Sequence, residues 1–285
     1  MRDCHRMKKY RIDKSKNIGN VIFVVEGGRP ETGGTELRLL KKIFADILGY
    51  EVQELRRGCD EFIGHGVNPQ YRVFALNLPK NQLTQMTDDA LDTLYARISG
   101  EFGIKPEDCP IFYLYDRDYL SYKPNELRGN YVKRYTDPYS NENGDIGQLL
   151  LSYPAIESYL MSCLQDDTYK QLFFLGKELK PELDRIVFPD GSAENVDLHQ
   201  KIVDRVFTDD MCEAENRLIH SVTEMDKGLQ AVGLGDYDLD NLAPTLLNIY
   251  DKQQEKYALD KAFSLISLVA MAFLELGVIV ECDEE

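Results

Sequence analysis

Val21-Ile22-Phe23-Val24-Val25-Glu26-Gly27-Gly28 is the stretch that decides the fold. Its first five residues are apolar without interruption, and four of them are β-branched. A strand with one wet face would alternate apolar and polar residues. An unbroken run of this length belongs to a strand buried on both faces, the pattern of a parallel sheet. The run stops at Glu26, and residues 29–34 contain Pro30, Gly33 and Gly34, which suit a turn. Beyond it, Leu37, Leu40, Ile43, Phe44 and Ile47 recur at helical spacing over residues 35–48. Thr35 suits an N-cap, and Gly49 suits a C-terminal stop. The local order is strand, glycine-rich turn, helix.

The same alternation continues outward. Residues 50–55 and 71–76 read as strands, with a polar loop over 56–69, and residues 88–99 as a helix with Leu91, Leu94, Tyr95 and Ile98 on one face. A second apolar run, Ile111-Phe112-Tyr113-Leu114-Tyr115, ends at Asp116-Arg117-Asp118. Residues 119–147 are polar and rich in Asn, Tyr, Gly and Pro, which predicts a long loop of the kind that often carries function. A strand over 149–154 and a helix over 155–164 follow. Strands alternating with helices predict an α/β fold with a mostly parallel sheet and right-handed crossovers. From residue 168 the pattern turns helical, with helices expected over 195–207, 212–232 and 251–276. The chain thus divides into an α/β part, 18–165, and a mainly helical C-terminal region, 166–285.

Of the 285 residues 43% are apolar, enough to bury a sizeable core. The formal net charge is −16, which argues against an open basic clamp for nucleic acid. It leaves room for a carboxylate site in which a bound cation supplies the positive charge a phosphate needs. The six cysteines, Cys4, Cys59, Cys109, Cys163, Cys212 and Cys282, form no CxxC pair and read as reduced thiols. The basic N-terminus lacks the apolar segment of a signal peptide. The apolar stretch 262–273 is too short to span a bilayer and reads as a buried helix. A cytoplasmic protein without a membrane segment is expected.

In an open parallel sheet ligands bind at the carboxyl ends of the strands. Glu26 ends one apolar run, and Asp116 and Asp118 end another. If the two strands are neighbours, three carboxylates converge, and such a group repels itself unless a cation is present. Mg²⁺ or Mn²⁺, hard ions that favour oxygen ligands, is the expected occupant. The glycine-rich segment after Glu26 lacks both the Gly-Lys-Ser/Thr ending of a phosphate loop and G-x-G-x-x-G. Arg29, Arg117 and Lys123 are candidates for phosphate contact, with solvated surface charge as the plainer reading. His65 lies in a Gly-rich loop from which it could approach the site. Tyr115, Tyr119 and Tyr122 could stack on bases, with core packing and ordinary loop aromatics as the alternatives.

A strand ending in Val25-Glu26-Gly27, Thr35-Glu36 opening a helix, and a later strand ending in Asp116-Arg117-Asp118 resemble the Toprim domain. Ser152-Tyr153-Pro154-Ala155-Ile156-Glu157 also resembles a Pro-x-x-Glu element of small stand-alone Toprim-like proteins. These include RloB-like nucleases and the Toprim effector of the PARIS anti-phage system. The resemblance covers roughly residues 20–164, and the turn after Glu26 is longer and richer in glycine than the family pattern. It implies a Toprim-like catalytic domain over 18–165 and Mg²⁺- or Mn²⁺-dependent phosphodiester cleavage of DNA, tRNA or another RNA. Glu26 would be a general acid/base or metal ligand, Asp116 and Asp118 metal ligands, and Glu36 and Glu157 further acidic groups of the site. It also implies a toxic effector of phage defence working with a separate ABC- or AAA-type ATPase, since this chain has no ATPase motif. The apolar 262–273 segment could alternatively be a surface for a homodimer or another partner, with a buried helix as the plainer reading. Two alternatives stand beside this: an inactive Toprim-like scaffold that binds such an ATPase, and a phosphotransferase acting on small phosphate esters.

Overall fold

The computed structural model describes residues 8–26, 34–55, 61–66, 68, 70–77, 83, 86–117, 123–139, 144, 146–191 and 198–282. In chain order the strands are β1 (Tyr10–Ile12), β2 (Val21–Val25), β3 (Glu51–Glu54), β4 (Phe62–His65), β5 (Arg72–Asn77), β6 (Ile111–Asp116), β7 (Thr136–Asp137), β8 (Gly147–Tyr153), β9 (Leu172–Phe173), β10 (Phe263–Ser264), β11 (Ile266–Ser267) and β12 (Ile279–Glu281). The helices are α1 (Thr35–Lys42), α2 (Asp88–Phe102), α3 (Pro124–Leu127), α4 (Glu157–Ser162), α5 (Gly176–Val187), α6 (Leu198–Val206), α7 (Met211–Ala231), α8 (Ala243–Asp260) and α9 (Val269–Glu275).

The fold is α/β, built on an eight-stranded mixed sheet in the order β11-β8-β6-β2-β5-β4-β3, with β7 also paired to β8. Its centre is parallel: β2 lies between β5 and β6, and β6 pairs with β8. The edges are antiparallel, through β4 and β3 beyond β5 and through β11 and β7 on β8. All five residues of β2 are fully buried, as an unbroken apolar run requires.

Register shows how both faces are covered. Ile22 stands opposite Phe74 and Phe23 opposite Ala75, so Phe23 and Phe74 point to opposite faces. Phe23 packs against Phe44, in the π-helical turn that prolongs α1, at 5.7 Å between ring centroids. Phe74 packs against Phe102 at the end of α2, at 5.1 Å. Helices α1 and α2 therefore sandwich the sheet. Phe273 of α9 reaches Phe44 at 6.3 Å, which places the C-terminal helix on the side of α1.

The strand order also creates a crevice. From β2 the chain runs through α1 towards β5, whereas from β6 it runs on to β8, on the other side of the sheet. The connections leaving these two adjacent parallel strands diverge at their carboxyl ends. That is a topological switch point, where open α/β sheets bind ligands.

The C-terminal region is helical and also completes the sheet. β11 pairs with β8, where the Ser152 and Ser267 hydroxyls hydrogen-bond at 2.8 Å, and β12 pairs with β1. Several expectations need correction. The supposed loop over 56–69 contains β4, hidden from pattern reading because Phe62-Ile63-Gly64-His65 is short and broken by glycine. Part of the segment 119–147 is ordered as α3, a π-helical turn over Arg128–Val132, and β7. The expected helix 251–276 is two helices. α8 ends at Lys261, in a left-handed conformation (φ 57°), and two short strands precede α9. Thr35 is the first residue of α1, and its N-cap is Gly34, which offers no side-chain bond. Gly49 does take the left-handed conformation (φ 73°) of a helix stop. Among the described residues no helix is long and apolar enough to cross a membrane.

Candidate functional site

Glu26 and Asp116 stand at the carboxyl ends of β2 and β6, neighbours in the sheet, with Val25 opposite Leu114. The Glu26 N–H continues the pairing by donating to the Leu114 carbonyl at 3.3 Å. The condition on which the predicted site depended is therefore met at the switch point itself. Two helix starts close over these strand ends. Glu36 is the second residue of α1 and Glu157 the first of α4, and both are buried, 6% and 4% exposed. The Ile156 N–H, just before α4, donates to Asp116 Oδ1 at 2.7 Å and ties β6 to that helix.

These four carboxylates feel one another. Burial pushes the Asp116 carboxyl well above the usual range, and Glu36, Glu157 and Glu26 push it further, against the Ile156 N–H. Burial likewise raises Glu36, to about 8, and Glu26 and Glu157 add to the rise. The N–H of Glu36 itself and the Lys180 ammonium oppose it. Four clustered carboxyls cannot all be ionised in a buried site, so the group carries protons or a cation. Lys180, on α5, brings its Nζ to 3.4 Å from Glu157 Oε1. The second oxygen, Oε2, is buried and has no hydrogen-bond partner among the described residues.

No known protein family, curated protein or solved structure matches this chain. What the site can do follows from its own residues. An all-oxygen donor set, with a buried carboxylate oxygen that has no hydrogen-bond partner among the described residues, fits a hard divalent cation.

The other candidates fall elsewhere. Asp118, Arg29, Tyr119, Tyr122 and residues 27–33 lie outside the described residues. Arg117 is neither a phosphate contact nor a solvated charge. It is completely buried, its guanidinium 5.6 Å from the Tyr250 ring and 5.5 Å from that of Phe263, and 3.3 Å from the Gln254 amide. Strand alternation explains this: Arg117 follows Asp116 and so turns to the opposite face of the sheet. Tyr115 is buried in the core, not free to stack on a base. His65 pairs with Arg72 at the amino end of β5, the sheet edge opposite to Glu26.

Three features were not anticipated. Lys180 had no signal in the sequence, because a lysine on an amphipathic helix looks like any surface charge. Glu61 is fully buried near the end of β5 and is compensated, with Arg97 donating at 2.9 and 2.7 Å and the Asn77 N–H at 3.3 Å. A second group, Asp166, His220 and Glu224, has ligand atoms within 4.8 Å of one another. The Lys227 ammonium already serves that group, 2.7 Å from Glu224 and 3.3 Å from Asp166. A cavity of about 350 Å³ lined by Lys42, Asp46, Phe207 and Asp209 shares no residue with the carboxylate cluster.

Proposed function

We propose that the chain is a Toprim-like, metal-dependent phosphodiester hydrolase that cleaves nucleic acid, DNA or RNA, with Glu26, Glu36, Asp116 and Glu157 at its metal site. The observation that carries this reading is the convergence of these four carboxylates, three of them from separate elements around Asp116, at the switch point of a parallel sheet. Mg²⁺ or Mn²⁺ suits the donor set; when bound, such an ion polarises the phosphate and lowers the pKa of a water. The acidic chain would meet its polyanionic substrate through that charge.

The protein's own groups have distinct tasks in this scheme. Asp116, oriented by the Ile156 N–H, presents one fixed carboxylate edge. Glu36, raised to about 8 by burial, holds a proton at neutral pH and would be a ligand of the ion. Glu26 continues the β2 strand into the crevice and is placed to exchange a proton with the attacking water or the leaving oxygen, as the resemblance to Toprim domains implies. The same resemblance supports an effector role in phage defence alongside a separate ABC- or AAA-type ATPase.

The test is cleavage of mixed DNA and tRNA with Mg²⁺ or Mn²⁺, comparing wild type with Glu26→Gln. Metal-dependent cleavage lost in the variant supports the proposal and ranks the substrates. Uptake of Mn²⁺ with turnover only of short phosphate esters points instead to a phosphotransferase. Absence of Mn²⁺ binding by wild type refutes the metal-dependent reading and leaves a scaffold.

A further inference from the structure

The carboxylate cluster has a cation of its own, and its placement is built into the fold. Lys180 lies one helical turn beyond Gly176, where α5 starts. At Gly176 the helix touches the segment leading into α4: a Cβ there would sit 2.5 Å from the Ala155 Cβ. Only a glycine lets α5 come this close. The start of the helix is fixed by Glu178, whose carboxylate accepts from the Phe174 and Leu175 N–H groups at 3.1 and 3.3 Å. Leu179 and Leu183, both fully buried, anchor the face beneath. The Lys180 side chain is half exposed, at 50%, while its ammonium lies 3.4 Å from Glu157 Oε1, so the lysine links the buried carboxylate to solvent.

A lysine in that position has two partners open to it. Without a divalent ion its charge offsets the cluster, and the ammonium acts on Glu157, Asp116 and Glu36 together. A divalent ion drawn to the same carboxylates repels the ammonium and competes for Glu157. The flexible stem then allows the ammonium to swing towards solvent, from which a substrate phosphate arrives, and three N–H donors suit phosphate oxygens.

We propose that Lys180 is the phosphate-binding residue of this site: it holds Glu157 in the metal-free protein and passes to a non-bridging oxygen of the substrate phosphate when a divalent ion takes the carboxylates. This rests on the metal-dependent reading above and adds to it a residue, a substrate group and an order of events.

The test uses the full chain and Lys180→Gln, which keeps most of the stem and removes the charge. Mn²⁺ is titrated into both proteins by electron paramagnetic resonance, and inorganic phosphate is then titrated calorimetrically into the Mn²⁺-loaded proteins. Loss of a competing charge makes the variant bind Mn²⁺ about tenfold more tightly, and loss of the donor makes its loaded form bind phosphate about tenfold more weakly. Unchanged or weaker Mn²⁺ binding by the variant overturns the proposal, because Lys180 then does not occupy the metal's place. Tighter Mn²⁺ binding with phosphate affinity equal to that of wild type overturns the transfer to phosphate. If wild type takes up no Mn²⁺, the metal-dependent reading itself fails and this inference falls with it.

Discussion

Replacing Glu36 by Gln should stabilise the metal-free protein, and the gain should grow with pH. Burial is the main cause of the rise of this carboxyl from 4.5 to about 8, with Glu26 and Glu157 adding to it. A raised carboxyl binds its proton more tightly in the folded than in the unfolded chain. Its stabilising contribution is therefore complete below pH 4.5 and is lost as pH rises towards 8. The loss is about 1.4 kcal/mol per pH unit within that window, or about 3 kcal/mol by pH 7. Glutamine resembles the protonated acid, keeps an oxygen to accept from its own N–H, and cannot ionise. For a chain of this size about 3 kcal/mol corresponds to roughly 5–10 °C in Tm. Thermal unfolding of wild type and Glu36→Gln in chelator should give nearly equal Tm values at pH 5 and the higher Tm for the variant at pH 7–8. A difference of the same size at both pH values refutes the linkage argument, and a variant less stable at pH 8 shows that ionised Glu36 has a compensating partner.

Other consequences follow from the packing. Arg97→Met removes the guanidinium from the fully buried Glu61 carboxylate and should cost about 3–5 kcal/mol in urea unfolding, with much of it regained in Arg97→Met/Glu61→Gln. Gly147→Ala places a Cβ 2.2 Å from the Tyr113 ring at φ 106°, and should cost at least about 3 kcal/mol or prevent soluble expression, measured by thermal unfolding. Arg117→Gln should lower Tm by several degrees through loss of its packing between Tyr250 and Phe263. If the proposed nucleic-acid substrate binds, the salt dependence of its binding should remain unchanged in this variant, whereas loss of a phosphate contact would reduce the slope by about 0.7–0.9.

What could be read in advance was whatever local pattern decides. β2 and β6 are unbroken apolar runs, so their burial, and the acidic residues ending them, were plain in the sequence. Their adjacency was a condition that only pairing could settle, because order in a sheet depends on crossovers and not on any residue. β4 was hidden because four residues carrying a glycine have no usable period. The helix expected over 251–276 failed at Lys261, since a lysine in the left-handed conformation leaves no mark in composition. Arg117 was misplaced for a different reason. It sits beside Asp116 in sequence, but alternation along the strand sends the two side chains to opposite faces. Lys180 lies 64 positions beyond Asp116, and nothing local distinguishes it from a surface lysine.

The sheet itself supplies the strongest argument for an exchangeable charge at the cluster. Glu61 and Asp116 are both acidic groups near the carboxyl ends of strands within the same sheet. At Glu61 the fold supplies a permanent remedy: a guanidinium that meets both carboxylate oxygens, the bidentate geometry that holds most firmly. At the cluster the half-exposed Lys180 reaches one oxygen of Glu157 at 3.4 Å, and the other oxygen has no hydrogen-bond partner among the described residues. A site meant only to be stable gains from an arginine there, because a buried carboxyl that stays neutral only by holding a proton loses stability as pH rises. A cluster of raised carboxyls costs the empty protein stability as pH rises, and a cation that binds the folded state alone returns that stability. If the proposed metal site takes Mn²⁺ through Glu36, Glu36→Gln should gain stability at high pH and also lose Mn²⁺ affinity, measured by titrating Mn²⁺ into both proteins. A variant that gained stability and kept its full affinity for Mn²⁺ would break the link.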